Sequence, residues 1–344
     1  MQIGLALDRR MGEAARRLLL SEGLLDTSKR IVCQGEELIL PIKPGLEEKL
    51  PHSLRDRGRL VRRPFESLGR RPSNIAEALS GILSEGEIRR LGRSYDMVGR
   101  ILVIAIPEEL YPKRRQIGAA LLEWLRVDTV ACKVSAVSGE YRVRSLEVIA
   151  GSSSLETLHR ENGLRFRLDL SKVFFNPRLA SERWRVALLA RDDQQVLDMF
   201  AGVGPFSISI ARASTLPGRR IVAIDKNREA VRYLGHNVGL NKAWAVRPIL
   251  ADSGLLVAAF AKRGVLFDRV IMNLPWLAHM FVETAASVLR EHGYLHYYRL
   301  LPKGEESRVI PEELGSGFDV EQIRCVEDYS PSSSIFVADA VRLR

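Results

Sequence analysis

From Gln195 onward, short apolar runs alternate with stretches of helical periodicity. The runs are Val196 to Met199, Ile221 to Ile224, Val246 to Leu250, Arg269 to Met272 and Gly293 to Leu300. Between them, apolar positions recur at helical spacing in Phe206 to Ala213, Arg228 to Leu240, Leu255 to Lys262 and Leu277 to Glu291. Strands that are apolar on both faces and separated by crossover helices predict an α/β domain with a doubly wound, mostly parallel sheet over residues 187–344. Ile323 to Val326 and Ile335 to Val341 predict a closing antiparallel hairpin at one sheet edge. Residues 72–186 read differently. Short strands at Arg100 to Ile106, Thr129 to Val134, Tyr141 to Val143, Glu147 to Ala150 and Leu164 to Leu170, with a helix at Ile117 to Leu125, predict an α+β domain. Residues 1–55 form a small N-terminal unit with a helix at Gly12 to Ser21 and strands at Arg30 to Cys33 and Glu37 to Pro41. Between these domains lies 56–71; Arg55 to Arg71 holds seven Arg against Asp56 and Glu66, the profile of a solvated linker.

Composition narrows the partners. The 344 residues carry 52 Lys plus Arg against 42 Asp plus Glu, a formal charge of +10 that favours a polyanion such as nucleic acid. Only ten of the 52 are Lys; Arg suits bidentate phosphate contacts, although a GC-rich genome gives the same bias. Cys33, Cys132 and Cys325 are too few and too far apart for a disulfide framework or a metal knuckle, which points to a reducing, cytoplasmic setting. With no signal peptide or membrane anchor expected, and no HExxH pattern among six His, a catalytic metal has little support. The chain is expected to be a monomer without an obligate protein partner.

The strongest local signal is Val196-Leu197-Asp198-Met199-Phe200-Ala201-Gly202-Val203-Gly204-Pro205-Phe206, a buried strand running through a glycine turn into a helix. A ligand belongs on that turn, against Phe200, with Gly202 and Gly204 letting the backbone approach it. A dinucleotide site expects a third glycine where Ser207 stands, which disfavours NAD. Asp225 ends the second strand, placed for a ribose diol, unless it is only the N-cap of the next helix. Asp252 follows the third, where a carboxylate can accept from an adenine amine. One carboxylate after each of two successive strands suits S-adenosylmethionine. Asn273-Leu274-Pro275-Trp276 follows the fourth strand; it has the form of the Asn-Pro-Pro-aromatic loop of nitrogen methyltransferases and would set the Asn273 amide and a rigid backbone carbonyl near Pro275 beside the reactive end of the cofactor.

With these residues the chain resembles the archaeal and eukaryotic tRNA (guanine-37-N1)-methyltransferases, through Asp198 to Phe206 and Met272 to Pro275. The similarity extends to Ser138 to Val143, Glu156 to Gly163, Phe174 to Arg183 and His296 to Tyr298, and less specifically to residues 1 to 50, which resemble the family's small first domain for the outer corner of tRNA. The resemblance implies a class I, Rossmann-like methyltransferase fold and S-adenosylmethionine as cofactor. It implies methylation of N1 of guanosine 37, with Glu182 as general base at N1, Arg142 holding O6 where charge develops, and Asn273 beside them. Without the resemblance, Glu182 next to Arg183 reads as a surface ion pair. Phe174, Phe175 and Trp276 are candidates for gripping an extruded base, and Arg178 for the cofactor carboxylate or a phosphate. Phe174 where Tyr is common, the missing Pro after Asp225-Lys226-Asn227, and the bulky Trp276 depart from the family pattern. A wyosine-pathway enzyme of the same superfamily is the nearest alternative. A DNA or rRNA amine methyltransferase and a non-catalytic RNA-binding protein are the others.

Overall fold

A computed structural model describes residues 1–67, 72–92, 94–134, 145–213 and 219–343. The chain divides into two units, Met1–Ala78 and Leu79–Arg344. In the first, strand β1 (Gln2–Asp8) pairs antiparallel with β3 (Glu37–Pro41) and β4 (Arg59–Arg63), and β3 pairs with β2 (Val32–Gln34). Helix α1 (Gly12–Ser21) lays Ala15 and Leu19 against Leu5, Leu7, Leu40 and Ile42 of this sheet, and the four-residue helix α2 (His52–Arg55) adds Leu54. The Arg-rich segment is therefore not only a linker. Gly4 pairs with Val61, so Arg59–Arg63 is an edge strand. Its backbone satisfies β1 while Val61 packs beside Phe65, and its guanidiniums stay at the surface, where Arg59 meets Glu37 at 2.7 Å. Arg70 and Arg71 lie outside the described residues.

A short helix, α3 (Ile75–Leu79), crosses the unit boundary, and α4 (Glu85–Leu91) follows with a capping box in which Ser84 and Glu87 satisfy each other's backbone N–H. Strands β5 (Tyr95–Val98), β6 (Ile101–Ile104), β7 (Thr129–Lys133) and β8 (Leu146–Gly151) form a four-stranded sheet, with α5 (Arg114–Leu125) crossing from β6 to β7. The strand expected at Tyr141 to Val143 falls outside the described residues. Next comes a hairpin of β9 (Glu156–Glu161) and β10 (Leu164–Asp169), then α6 (Ala180–Leu189).

The remainder is one seven-stranded sheet. Its strands are β11 (Gln195–Asp198), β12 (Arg220–Asp225), β13 (Val246–Leu250), β14 (Phe267–Met272), β15 (Leu289–Pro302), β16 (Phe318–Ser330) and β17 (Ser333–Arg342), in the spatial order β13-β12-β11-β14-β15-β17-β16. The first five run parallel, β17 runs antiparallel to them beside β15, and β16 pairs antiparallel with β17, so the closing hairpin puts β16 at the edge as expected. Helices α7 (Pro205–Ala213), α8 (Arg228–Asn241), α9 (Ser253–Lys262), α10 (Val282–Ala286) and α11 (Glu306–Leu314) cover it, burying one core around Val196, Phe206 and Ile271 and another around Leu197, Met272 and Leu295. The helix expected at Leu277 to Glu291 is shorter: a 3-10 turn at Ala278–Phe281 leads into α10, and β15 already starts at Leu289.

The division expected between 186 and 187 falls inside one unit. Asn237 and Asn241 lie one helical turn apart on α8 and present their side-chain amides to the outer edge of β10. Asn237 accepts from Arg167 N–H at 2.8 Å and donates to the Arg167 and Val203 carbonyls at 3.1 Å. Asn241 accepts from Arg165 N–H at 2.9 Å and donates to its carbonyl at 2.6 Å. The hairpin thus finds on α8 the hydrogen bonds that a neighbouring strand would have supplied.

Candidate active site

The strand order reverses between β11 and β14, and there the carboxyl ends of the parallel strands open a cavity of about 200 Å³. Phe200, Gly202, Asp225, Asp252, Asn273, Pro275 and Trp276 all line it, together with Phe174 and Phe175. Phe200 meets Phe281 edge-on at 5.1 Å. Phe175 is mainly core, 4% exposed, with the Arg183 guanidinium 4.8 Å from its ring centroid. Arg183 itself is buried between Glu161, at 2.7 and 2.9 Å, and the Asn176 carbonyl.

The two glycines of the turn do different work. Gly202, at φ 56°, faces open space where a Cβ would touch nothing within 4 Å, and its N–H donates to Asp225 at 2.7 Å. Gly204, at φ 91°, is absent from the cavity wall; a Cβ there would lie 2.2 Å from Leu234 Cδ1. Its role is to let α8 pack against the turn, which corrects the expectation of a ligand contact.

Asp225 is not a helix cap, since Asn227 caps α8. Burial pushes the Asp225 carboxyl up from its ordinary value, while the N–H groups of Asn227 and Gly202 favour its ionised form. Asp252 caps α9 through Oδ1, at 3.0 Å from Leu255 N–H, and Oδ2 has no hydrogen-bond partner among the described residues. A residue given no role in the sequence reading, Asp198, is 1% exposed and pushed up to about 7 by burial, against the favourable bond from Ser207 Oγ at 2.7 Å. Its Oδ1 is buried with no hydrogen-bond partner among the described residues. The signal for it was a carboxylate closing an otherwise apolar strand. An uncrowded glycine and two carboxylates, Asp225 and Asp252, on the cavity wall at the strand ends fit a cationic, ribose-bearing cofactor such as S-adenosylmethionine.

Three expectations fare differently. The loop after β14 reaches the cavity with Asn273, but its carbonyls turn away. Leu274 O accepts from the N–H groups of Leu277 and Ala278 at 2.9 and 2.8 Å, and Pro275 O from Leu300 N–H and Arg299 Nη1, both at 2.9 Å. With both lone pairs of each taken, neither is the rim acceptor expected there. Arg178 does not reach the cavity: it pairs with buried Asp96 at 2.7 Å and with Ser94 at 2.8 Å, pinning the 176–178 turn to β5. Glu182 is 6% exposed, not a surface ion pair, and is also absent from the cavity wall. Its carboxylate accepts from Arg185 at 2.8 and 2.9 Å, the Tyr298 hydroxyl at 2.8 Å and Arg324 at 3.1 Å. Burial raises its pKa, but these donors outweigh it and hold the group below its ordinary value. Arg185 is fixed in turn by Asp339 at 2.7 Å, whose other oxygen takes the His296 Nδ1–H at 2.6 Å. Tyr298 follows Tyr297, the register partner of Met272 on β14. Arg142 lies outside the described residues. Among the described residues no cluster of His, Cys, Asp or Glu could hold a metal, and no helix is long and apolar enough to cross a membrane.

Comparison with known proteins agrees with this arrangement. Residues 157–320 match the TRM5/TYW2 methyltransferase domain, 75–154 the TYW2 N-terminal domain, and 4–50 the tRNA methyltransferase 5 N-terminal domain. The chain is 38% identical to tRNA (guanine(37)-N(1))-methyltransferase Trm5b of Pyrococcus abyssi, covering 96% of both chains, and 35% identical to that of Methanocaldococcus jannaschii over 98% of both. The tRNA(Phe) (4-demethylwyosine(37)-C(7)) aminocarboxypropyltransferase of Pyrococcus horikoshii is 30% identical over 75% of this chain and 92% of its own. Among solved structures, aTrm5 in complex with tRNALeu superposes with a TM-score of 0.73 at 33% identity, covering 99% of both chains. Trm5b from Pyrococcus abyssi gives 0.70 at 36% over the full length of both. The cavity at the strand switch point and the full-length similarity together place this chain in the tRNA (guanine(37)-N(1))-methyltransferase family.

Proposed function

We propose the following chemistry for this member of the family, which transfers the methyl group of S-adenosylmethionine to N1 of guanosine 37 in tRNA. The observation that carries it is one cavity with two kinds of wall. All six of Gly202, Asp225, Asp252, Asn273, Trp276 and Phe174 line it; in this reading the first three would take the cofactor and the last three the acceptor base. S-adenosylmethionine supplies an electrophilic methyl. Asp225 would hold the ribose diol and Asp252 the adenine amine. Guanine N1 carries a proton at neutral pH, so the chain must remove it and stabilise the charge moving to O6. Glu182 is the proposed base and Arg142 the O6 partner. Because the four acceptor positions of Glu182 are taken, it must exchange one donor for the N1–H. Arg324, the longest contact at 3.1 Å and carried on the edge strand, is the one to yield. The base is extruded from the anticodon loop between Trp276 and Phe174, and the first unit contacts the outer corner of the tRNA. The protein acts in the cytoplasm as a monomer.

The test is nucleoside mass spectrometry of unmodified transcripts carrying guanosine or adenosine at position 37, with wild-type protein and Glu182→Gln. We expect one methyl on guanosine N1, none on the adenosine transcript, and turnover reduced roughly 10² to 10⁴-fold by Glu182→Gln with both ligands still bound. An aminocarboxypropyl adduct would move the chain to the wyosine branch. Unchanged turnover would remove Glu182 from the mechanism.

A further inference from the structure

The loop that carries Asn273 is held from behind by groups that do not line the cavity. Arg299 of β15 is 9% exposed and turns its guanidinium toward the loop backbone. Nη1 donates to the Pro275 carbonyl at 2.9 Å and to that of Trp276 at 3.4 Å. The other edge of the same guanidinium is captured by Glu313 of α11, with Nε at 2.8 Å from Oε2 and Nη2 at 2.7 Å from Oε1. The Tyr297 hydroxyl donates to that carboxylate at 2.5 Å.

A guanidinium is planar and its N–H vectors are fixed relative to one another. Once Glu313 locks one edge, the direction of Nη1 is set as well, and with it the place of both carbonyls. Tyr297 removes the remaining freedom of the carboxylate. The loop needs such a brace. It runs irregularly between β14 and the 3-10 turn at Ala278–Phe281, and among the described residues the Leu300 N–H bond to Pro275 O is its one backbone–backbone bond to β15. Asn273 and Trp276 flank the braced peptides, and both face the cavity.

We propose that Arg299, oriented by Glu313 and Tyr297, is a positioning residue for methyl transfer: it fixes the Pro275–Trp276 backbone so that Asn273 and Trp276 meet the acceptor base in reactive alignment. The proposal rests on the reading above that this loop faces the base. In-line transfer is sensitive to such placement, and a shift of about 1 Å can cost on the order of 10²-fold in rate. A buried ion pair that served stability alone would affect folding and leave the bound reaction rate untouched.

The experiment measures single-turnover methyl transfer to the guanosine-37 transcript at saturating enzyme, with dissociation constants for S-adenosylmethionine and for tRNA, well below each variant's melting temperature. Arg299→Lys keeps the charge and loses the fork. Tyr297→Phe removes only the brace and guards against misfolding of the first variant. Asn273→Ala controls for the loop itself. We expect Arg299→Lys to lower the bound rate about 10 to 100-fold and Tyr297→Phe about 3 to 10-fold, while both dissociation constants stay within about threefold. A wild-type bound rate in both variants, or losses that appear only in the dissociation constants, would overturn the proposal. A wild-type rate in Asn273→Ala would instead overturn the reading of the loop, and the proposal with it.

Discussion

Two alanine substitutions, two residues apart in sequence, test how the glycine turn works. At Gly204 the backbone has φ 91°, and a new Cβ would sit 2.2 Å from Leu234 Cδ1 and 3.1 Å from Ile208 Cδ1. The conformation costs about 1–2 kcal/mol for any L side chain, and forcing a methyl into a packed core about 1–3 kcal/mol more. Gly204→Ala should therefore lose about 2–5 kcal/mol, a melting temperature lower by about 5–15 °C for a unit of this size. At Gly202 the φ is 56° and the added methyl meets nothing, so only the conformational cost of about 1 kcal/mol remains and melting of the free protein falls by a few degrees at most. That methyl projects where Gly202 lines the cavity, so it should weaken S-adenosylmethionine binding by about tenfold or more. The assays are thermal melting of the free protein and calorimetric titration with the cofactor. Gly204→Ala melting with the wild type, or Gly202→Ala binding cofactor normally, would refute the division of labour between the two positions.

Other features give checkable consequences. Asp198 holds its proton up to about pH 7 in the fold but only to about 3.8 when unfolded. The stability this protonation contributes is present below about pH 4 and is lost as pH rises through 7, by about 4 kcal/mol. The melting temperature of the cofactor-free protein should therefore decline less between pH 4 and 8 in Asp198→Asn than in the wild type; parallel curves would show that Asp198 titrates normally. Asp225→Ala should weaken S-adenosylmethionine about 10 to 100-fold by removing a charged acceptor, read by the same titration. Asn237→Ala should cost about 2–4 kcal/mol, because three hydrogen bonds between α8 and its neighbours disappear in a fully buried place; a melt within 1 °C of wild type would contradict this.

Where the sequence was informative, the signal was local. The strand-turn-helix at Asp198 to Phe206 places its own residues, and Asp225, Asp252 and Asn273 follow from counting strand ends, since the carboxyl ends of a parallel sheet share one rim. What was not legible depends on partners far along the chain. Gly204 is needed because of Leu234, and Arg178 is drawn from the cavity by Asp96, 82 positions earlier. Charge also misled. Arg59–Arg63 read as solvated because its guanidiniums are, but a strand is decided by its backbone ladder and by Val61. In the same way Glu182 beside Arg183 suggested one surface pair, whereas the two side chains leave α6 in different directions, to Arg185 and Tyr298 and to Glu161.

The amide seam between α8 and β10 decides where this polypeptide can be severed. A fragment beginning at 187 would retain every strand of the large sheet, yet it would leave Asn237 and Asn241 facing solvent and strip the cover from the core around Tyr233 and Leu234. A fragment beginning before β9 keeps that seam closed. Modules exchanged between relatives, or trimmed for expression, must therefore carry the hairpin, the 174–178 turn and α6 along with the nucleotide-binding sheet. The cavity residues carried by the 174–178 turn and those carried by the large sheet form one inheritable block.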